Sequence, residues 1–320
     1  MIISNLDQFK AKREAWIQCF SGKDRNSILN QIYQMVWNAA VFKVVNEARR
    51  IAQVDAKGQT EINGMLHRFM DRCFFDSQFL VIRRLTDTAY ALGDPKKGIF
   101  SLVALLSDMK ANISLMPREN LFSVEDLEYD YEAIQNRELE HALEQSKSGK
   151  NACWTSFKGS SHDIRSRHEQ IDALCGVGAD QRKPSDTIRA EVFDCLIKRL
   201  EDASEDVNLR VNKYIAHAAT PESREYVKVD EVSITLGRLW DAHEVICQIA
   251  NFTDVYLLSR ASHSFLPVPQ YDHFEHIDKP LVSAEGVEVL SKAWHEFHKE
   301  TDSWGSWGMK DLQKEISQEK

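Results

Sequence analysis

The chain has 320 residues, enough for one large helical domain or two smaller ones with a full core. Its 43% hydrophobic and 28% charged residues are those of an ordinary globular chain, and 13 Gly with 7 Pro are too few for a turn-rich β protein. A net charge of −9 excludes a positive field over the whole molecule, so any RNA contact must come from a local basic patch.

The apolar spacing predicts an all-α fold. A first helix is expected over Leu6–Phe20 and a second after Asp24, with Ile28, Ile32, Met35, Val36, Ala39, Ala40, Val44 and Ala48 at three-and-four spacing until Lys57-Gly58 breaks it. A third is expected over Glu61–Ala91, with Ile62, Leu66, Phe69, Cys73 and Leu80 on one face, ended by Gly93-Asp94-Pro95. Phe100–Leu115 reads as a fourth, stopped at Met116-Pro117, followed by a loose helix over 128–146 and an exposed loop over Ser146–Ser161.

A short helix over His162–Cys175 runs into Gly176-Val177-Gly178. Ser185 or Asp186 is then expected to cap a helix carrying Ile188, Val192, Leu196, Ile197, Leu200 and Val207. Thr220–Lys228 reads as a turn, and Val229 or Asp230 opens a helix to Ser259 with Val232, Leu239, Ile246, Ile249, Phe252 and Val255 as its apolar set. Pro267, Pro269 and Pro280 punctuate an irregular stretch before a last helix over Ser283–Glu300. The expected architecture is a bundle of long antiparallel helices over residues 1–260, with a C-terminal helical appendage over 261–320 packed on it.

The six cysteines form no C-x-x-C pair, which reads as reduced, mostly buried thiols in a cytoplasmic protein. No apolar run of about 18 residues is present, so no membrane span is expected, and the start lacks the pattern of a signal peptide. Walker A, G-x-G-x-x-G, G-x-S-x-G and H-E-x-x-H patterns are absent; His273/His276 and His295/His298 are pairs without a third ligand, so neither a cofactor nor a metal is expected.

The stretch that carries chemistry is Arg210-Val211-Asn212-Lys213-Tyr214-Ile215-Ala216-His217-Ala218. Seven residues part Arg210 from His217, which at about 100° per residue is within roughly 20° of two full turns. On a regular helix the two leave one face, with Lys213 and Tyr214 on the same stripe. A second pair, Arg238 and His243, is five residues apart and diverges by about 140°. A structural reading stands beside the chemical one: a histidine near a helix C-terminus is favoured by the macrodipole alone.

Arg-x-Asn-Lys-Tyr-Ile-Ala-His-Ala at the end of a bundle helix resembles the HEPN superfamily (higher eukaryote and prokaryote nucleotide-binding domains), in particular its abortive-infection U branch. The specific likeness covers about ten residues, with a looser match of helix order over about 24–260. It implies an all-α bundle that dimerises so that two Arg–His motifs face one cleft, and a metal-independent ribonuclease of antiviral defence or growth arrest. His217 takes the catalytic histidine position and Arg210 the arginine position. The family more often has a polar residue directly after its arginine, where this chain has Val211 and then Asn212. RNA, including tRNA, a second copy of the chain, and an antitoxin or defence-system partner are the partners that follow.

The residues read the same way unaided. Cleavage of RNA needs a base for the ribose 2′-hydroxyl proton and a cation for the charge developing on phosphate. Neutral His217 suits the first and the guanidinium of Arg210 the second. Lys213 can protonate the leaving oxygen, Tyr214 can stack on a base, and Asn212 can orient the site. Arg83 and Arg84 are further RNA-contact candidates, although an ion-pair network with Asp76 and Asp87 is the simpler role. Trp294, Trp304 and Trp307 are expected to pin the tail, or, if exposed, to form a partner-binding patch. A non-catalytic helical interaction module is the alternative to the nuclease.

Overall fold

The computed structural model describes residues 4–53, 56–57, 62–88, 92, 98–148, 158–215, 220, 222, 234–261, 264–283 and 285–304. Among them are ten α-helices and no strand: α1 Asn5–Ser21, α2 Ile28–Ile51, α3 Gly64–Leu85, α4 Leu102–Ala111, α5 Arg118–Ser123, α6 Tyr131–Lys147, α7 Ser161–Cys175, α8 Ala190–Arg210, α9 Leu236–Phe252 and α10 Gly286–Trp304. The chain divides into two compact units, Met1–Pro267 and Val268–Lys320. No described helix is long and apolar enough to cross a membrane.

Local signals set most helix starts. The Ser4 hydroxyl accepts from the Asp7 N–H (3.1 Å), Asn63 Oδ1 from Leu66 N–H (3.0 Å), and Asp130 Oδ1 from both Glu132 and Ala133 N–H groups, each satisfying donors that the helix leaves open. Gly176 ends α7 at φ 69°, a left-handed backbone that favours glycine, and an added Cβ would also push the Arg189 side chain aside.

α4 buries Leu102, Val103, Ala104, Leu105, Leu106 and Met109, leaving Ser107, Asp108 and Lys110 as its polar edge, and it packs against α1 and α8. α8 packs in turn on α3, α4 and α9, burying Phe193, Leu196, Leu200, Ser204 and Val207 at three-and-four spacing. α1 and α3 flank α2, whose Ile28, Ile32, Met35 and Ala39 are buried as their spacing predicts.

Several expectations are corrected. α3 ends at Leu85, six residues short of Ala91: Thr86 leaves the helical backbone at φ −109° and ψ 12°, and the next N–H, that of Asp87, reaches the Arg84 carbonyl at 3.5 Å. Its expected core face lies at the surface: Phe69 is 65% exposed, and Ile62, Cys73 and Leu80 are exposed too. The face that packs is Phe74, Gln78, Phe79, Val81, Ile82 and Leu85. Of the five described cysteines, Cys19 and Cys175 are buried, Cys247 is half-buried, and Cys73 and Cys195 are exposed; Cys153 lies outside the described residues.

α8 opens at Ala190 after Arg189, not behind Ser185 or Asp186. Residues 182–187 form instead a strap stitched to α5 and α7. Arg118, fully buried, donates to Asp172 (2.7 Å) and Asp186 (3.3 Å), its own N–H to the Asp186 carbonyl (2.7 Å), while Arg182 holds the other side of Asp172. His168 completes the cluster: its Nε2 meets the Tyr129 carbonyl at 2.8 Å, which places the proton there and leaves Nδ1 to accept from Arg118 at 3.2 Å.

α9 opens at Leu236 behind Thr235, whose hydroxyl accepts from Arg238 N–H. It ends at Phe252 in a π-helical turn over Thr253–Leu257 that rotates Thr253 and Asp254 into the core in place of Phe252 and Val255. Asp254 pairs with Arg260 (3.5 Å), and Arg13 donates to the Leu258 carbonyl (2.6 Å), so α1 holds the far end of this turn. In the second unit, α10 carries Trp294 at 65% and Trp304 at 63% exposure; Trp307 lies outside the described residues.

Candidate functional site

α8 does not finish as an α-helix. At Arg210 its ladder changes, and Val211–Ile215 form a π-helical turn that contains Asn212, Lys213 and Tyr214. An i→i+5 turn admits one more residue per circuit than the α-helix, which costs hydrogen-bond quality and is kept mostly where a side chain must be re-aimed at a functional site. It also advances fewer degrees per residue, so the seven-residue arithmetic of a regular helix does not carry across it. His217 lies outside the described residues.

The remaining candidates have clear positions. Arg210 is half-buried, its guanidinium carbon 5.4 Å from the centre of the Phe79 ring of α3, a cation–π seating that holds the charge against an apolar wall. Val211, the departure from the family pattern, is 2% exposed and continues the core stripe of α8. Asn212 is exposed, Lys213 half-buried and Tyr214 41% exposed. The turn thus places an exposed amide and a part-exposed tyrosine next to the Arg210 cation, which rests against Phe79 of α3.

Arg83 and Arg84 part company. Arg83 pairs with Asp87 at 3.4 Å along α3. Arg84 is exposed and leaves α3 about 140° around the helix from Phe79, away from the ring on which Arg210 rests. It lines a cleft of about 640 Å3 with Lys23 and Arg25, two cations that sequence reasoning passed over. Asp76, expected as a partner, sits 3.8 Å from Arg72 instead.

The second Arg–His pair is structural. Arg238 reaches Asp206 at 3.1 Å on the surface of α8, whereas His243 is 7% exposed beside Trp240, its Nε2 without a partner. Shielded polar atoms without a hydrogen-bond partner recur on α3, α8 and α9. Gln78 is fully buried with neither amide atom bonded, and Asn208, two residues before Arg210, donates to Ser204 (3.1 Å) and Thr86 (3.3 Å) while its Oδ1 has no partner. Such atoms are rare in a native core and concentrate where function, not packing, selects the residue.

Burial pushes the His243 imidazole down to about 4. The unfolded chain therefore takes up a proton below about pH 6.5 that the folded one refuses, and stability falls as pH drops from about 6.5 to about 4, by roughly 3 kcal/mol at the lower limit. Burial lowers His168 in the same direction. Urea unfolding midpoints measured from pH 7 to pH 4 are expected to fall steeply through this window, and His243→Leu to flatten the fall. An unchanged slope in that variant would show that the imidazole titrates freely.

Among the described residues no group of three His, Cys, Asp or Glu side chains is placed to hold a metal ion. His276 lies beside Glu275 (3.4 Å), His298 beside Asp302 (3.3 Å), and His295 Nδ1 is 2.7 Å from the Ser291 carbonyl one turn back. In comparisons with known proteins, no family model matches the chain, and no curated protein and no solved structure matches it.

Proposed function

We propose that this chain is a metal-independent endoribonuclease of the HEPN kind, a cytoplasmic homodimer acting in antiviral defence or growth arrest. The observation that carries the reading is the π-helical turn that breaks α8 immediately after Arg210 and holds Asn212, Lys213 and Tyr214. His217 takes the 2′-hydroxyl proton, the 2′-oxygen attacks the adjacent phosphorus, and Arg210 holds the charge that builds on the phosphoryl oxygens. The bond to the 5′-oxygen breaks as Lys213 returns a proton to it, leaving a 2′,3′-cyclic phosphate and a free 5′-hydroxyl. Because the ribose brings its own nucleophile, base and cation suffice, and DNA, which lacks it, is not a substrate.

Incubation of the purified protein with total RNA, tRNA and single-stranded DNA in excess chelator tests this. RNA is expected to be cut to cyclic-phosphate ends and DNA to survive. Equal cleavage of DNA, or RNA left intact by a folded dimer, overturns the reading.

One observation favours the alternative of a non-catalytic interaction module. α10 carries Val287, Leu290, Trp294, Phe297 and Trp304 at heptad positions, each more than half exposed. On that reading Trp294→Asp abolishes association with a helical partner, and His217→Ala changes nothing.

A further inference from the structure

The cleft against Arg84 has a composition at odds with the rest of the molecule. The chain carries a net charge of −9, yet Lys23, Arg25 and Arg84 line this one cavity, no carboxylate lines it, and none of the three makes an ion pair with a described residue. Asp24, between the two loop cations, does not line it: its Oδ1 accepts from the Asn26 N–H at 2.7 Å, and with Lys23 it lines a neighbouring cavity. Two elements build the cationic rim. Lys23 and Arg25 sit on the loop that joins α1 to α2, and Arg84 on α3, at the exposed end of a stripe with Ser77 and Val81. Three cations lining one cleft that no carboxylate lines make it electropositive, and the natural compensation is an anion from solution.

The rest of the lining fits something larger than a bare ion. At about 640 Å3 the cleft lies in the range of small-molecule sites, roughly 300–1,000 Å3. The half-buried rings of Tyr33 and Trp37 supply flat apolar surface. Gln31 supplies an unclaimed acceptor: it is 6% exposed, its amide nitrogen donates to the Asn26 (2.7 Å) and Phe100 (2.9 Å) carbonyls, and its Oε1 has no partner. With the nitrogen fixed by two carbonyls the amide cannot flip, so the oxygen needs a donor that the protein itself does not provide.

We propose that this cleft binds a nucleoside phosphate, with the phosphate held by Lys23, Arg25 and Arg84 and the base against Tyr33 and Trp37, an amino or imino group of the base donating to Gln31. The site lies on α2 and α3 and is independent of the π-helical turn, so it stands whether or not the chain cleaves RNA.

Titration calorimetry on the full chain carrying His217→Ala, with each of the four nucleoside 5′-monophosphates, the parent nucleosides and inorganic phosphate, tests it without any RNA present. At least one monophosphate is expected to bind and to quench tryptophan fluorescence. Its nucleoside and inorganic phosphate are each expected to bind at least about tenfold more weakly, as loss of a charge-assisted contact or of stacking requires. Arg84→Glu and Lys23→Glu, both at exposed positions, are expected to weaken binding at least about tenfold, with Arg84→Lys restoring most of it. Binding of none of the four monophosphates at millimolar concentration, inorganic phosphate binding as tightly as the nucleotide, or unchanged affinity in both charge reversals would each overturn the assignment.

Discussion

Replacing His217 by alanine is expected to slow RNA cleavage by about 10²- to 10⁴-fold, the usual contribution of a positioned base. Arg210→Ala is expected to cost about 10²- to 10³-fold, as for other fixed groups that stabilise developing charge. The two losses should not add, because base and cation act on one transition state. Arg210→Lys separates charge from shape: a point charge replaces the fork, so the rate falls while KM changes little. Cleavage by the unmodified protein should also fall below about pH 6.5, where a histidine of ordinary pKa is protonated and can no longer accept. Unfolding midpoints taken in parallel distinguish loss of chemistry from loss of fold, which matters for Arg210 because its guanidinium is seated on Phe79. Cleavage that persists at full rate in His217→Ala, or unchanged at pH 5, removes the proposed mechanism.

The largest effect on stability is expected at Arg118. Its guanidinium is fully buried and bridges Asp172 on α7 and Asp186 on the strap, while its backbone takes the Asp186 carbonyl. Arg118→Met keeps much of the volume but leaves the half-buried Asp186 carboxylate with the Lys183 N–H (2.8 Å) and takes from His168 Nδ1 its donor. Breaking a buried pair from one side costs about 3–5 kcal/mol, and for a domain of this size lowers the thermal midpoint by roughly 10 °C. A loss below about 1 kcal/mol in urea unfolding would show that the strap is held by its neighbours instead.

The same network has its own pH window. Burial pushes the Asp172 carboxyl up, but hydrogen bonds from Arg182 and Arg118 outweigh it and hold the group below the usual carboxylate range. Its contribution is therefore complete above about pH 4 and lost as pH falls through the folded value. That loss lies below the window in which His243 titrates, so the two separate in one acid titration.

Much of this molecule is legible in the chain itself. The three-and-four spacing of Leu196, Leu200 and Val207, and of Ile28, Ile32, Met35 and Ala39, states both the helix and the buried face, because periodicity and burial coincide there. The candidate chemistry at Arg210 and His217, with Asn212, Lys213 and Tyr214 between them, is likewise a matter of residue types in a short stretch. α3 shows where that kind of reading stops. It has two apolar stripes, and propensity cannot say which one a neighbour will cover; α2, α8 and α9 cover Phe74, Phe79 and Ile82 and leave Phe69 to solvent.

Tertiary contacts alone decided the rest. The i→i+5 slip after Arg210 has no residue signature, because it depends on how Val211 is drawn into the core and how α3 meets the end of α8. Arg83 and Arg84 are adjacent and chemically identical, yet one pairs along its helix and the other lines a cleft, since a step of about 100° points them at different neighbours. Lys23 and Arg25 join Arg84 only because the chain folds α2 against α3. A sequence records the charge and the period of each segment; which charges converge is set by the packing of segments that are distant in the chain.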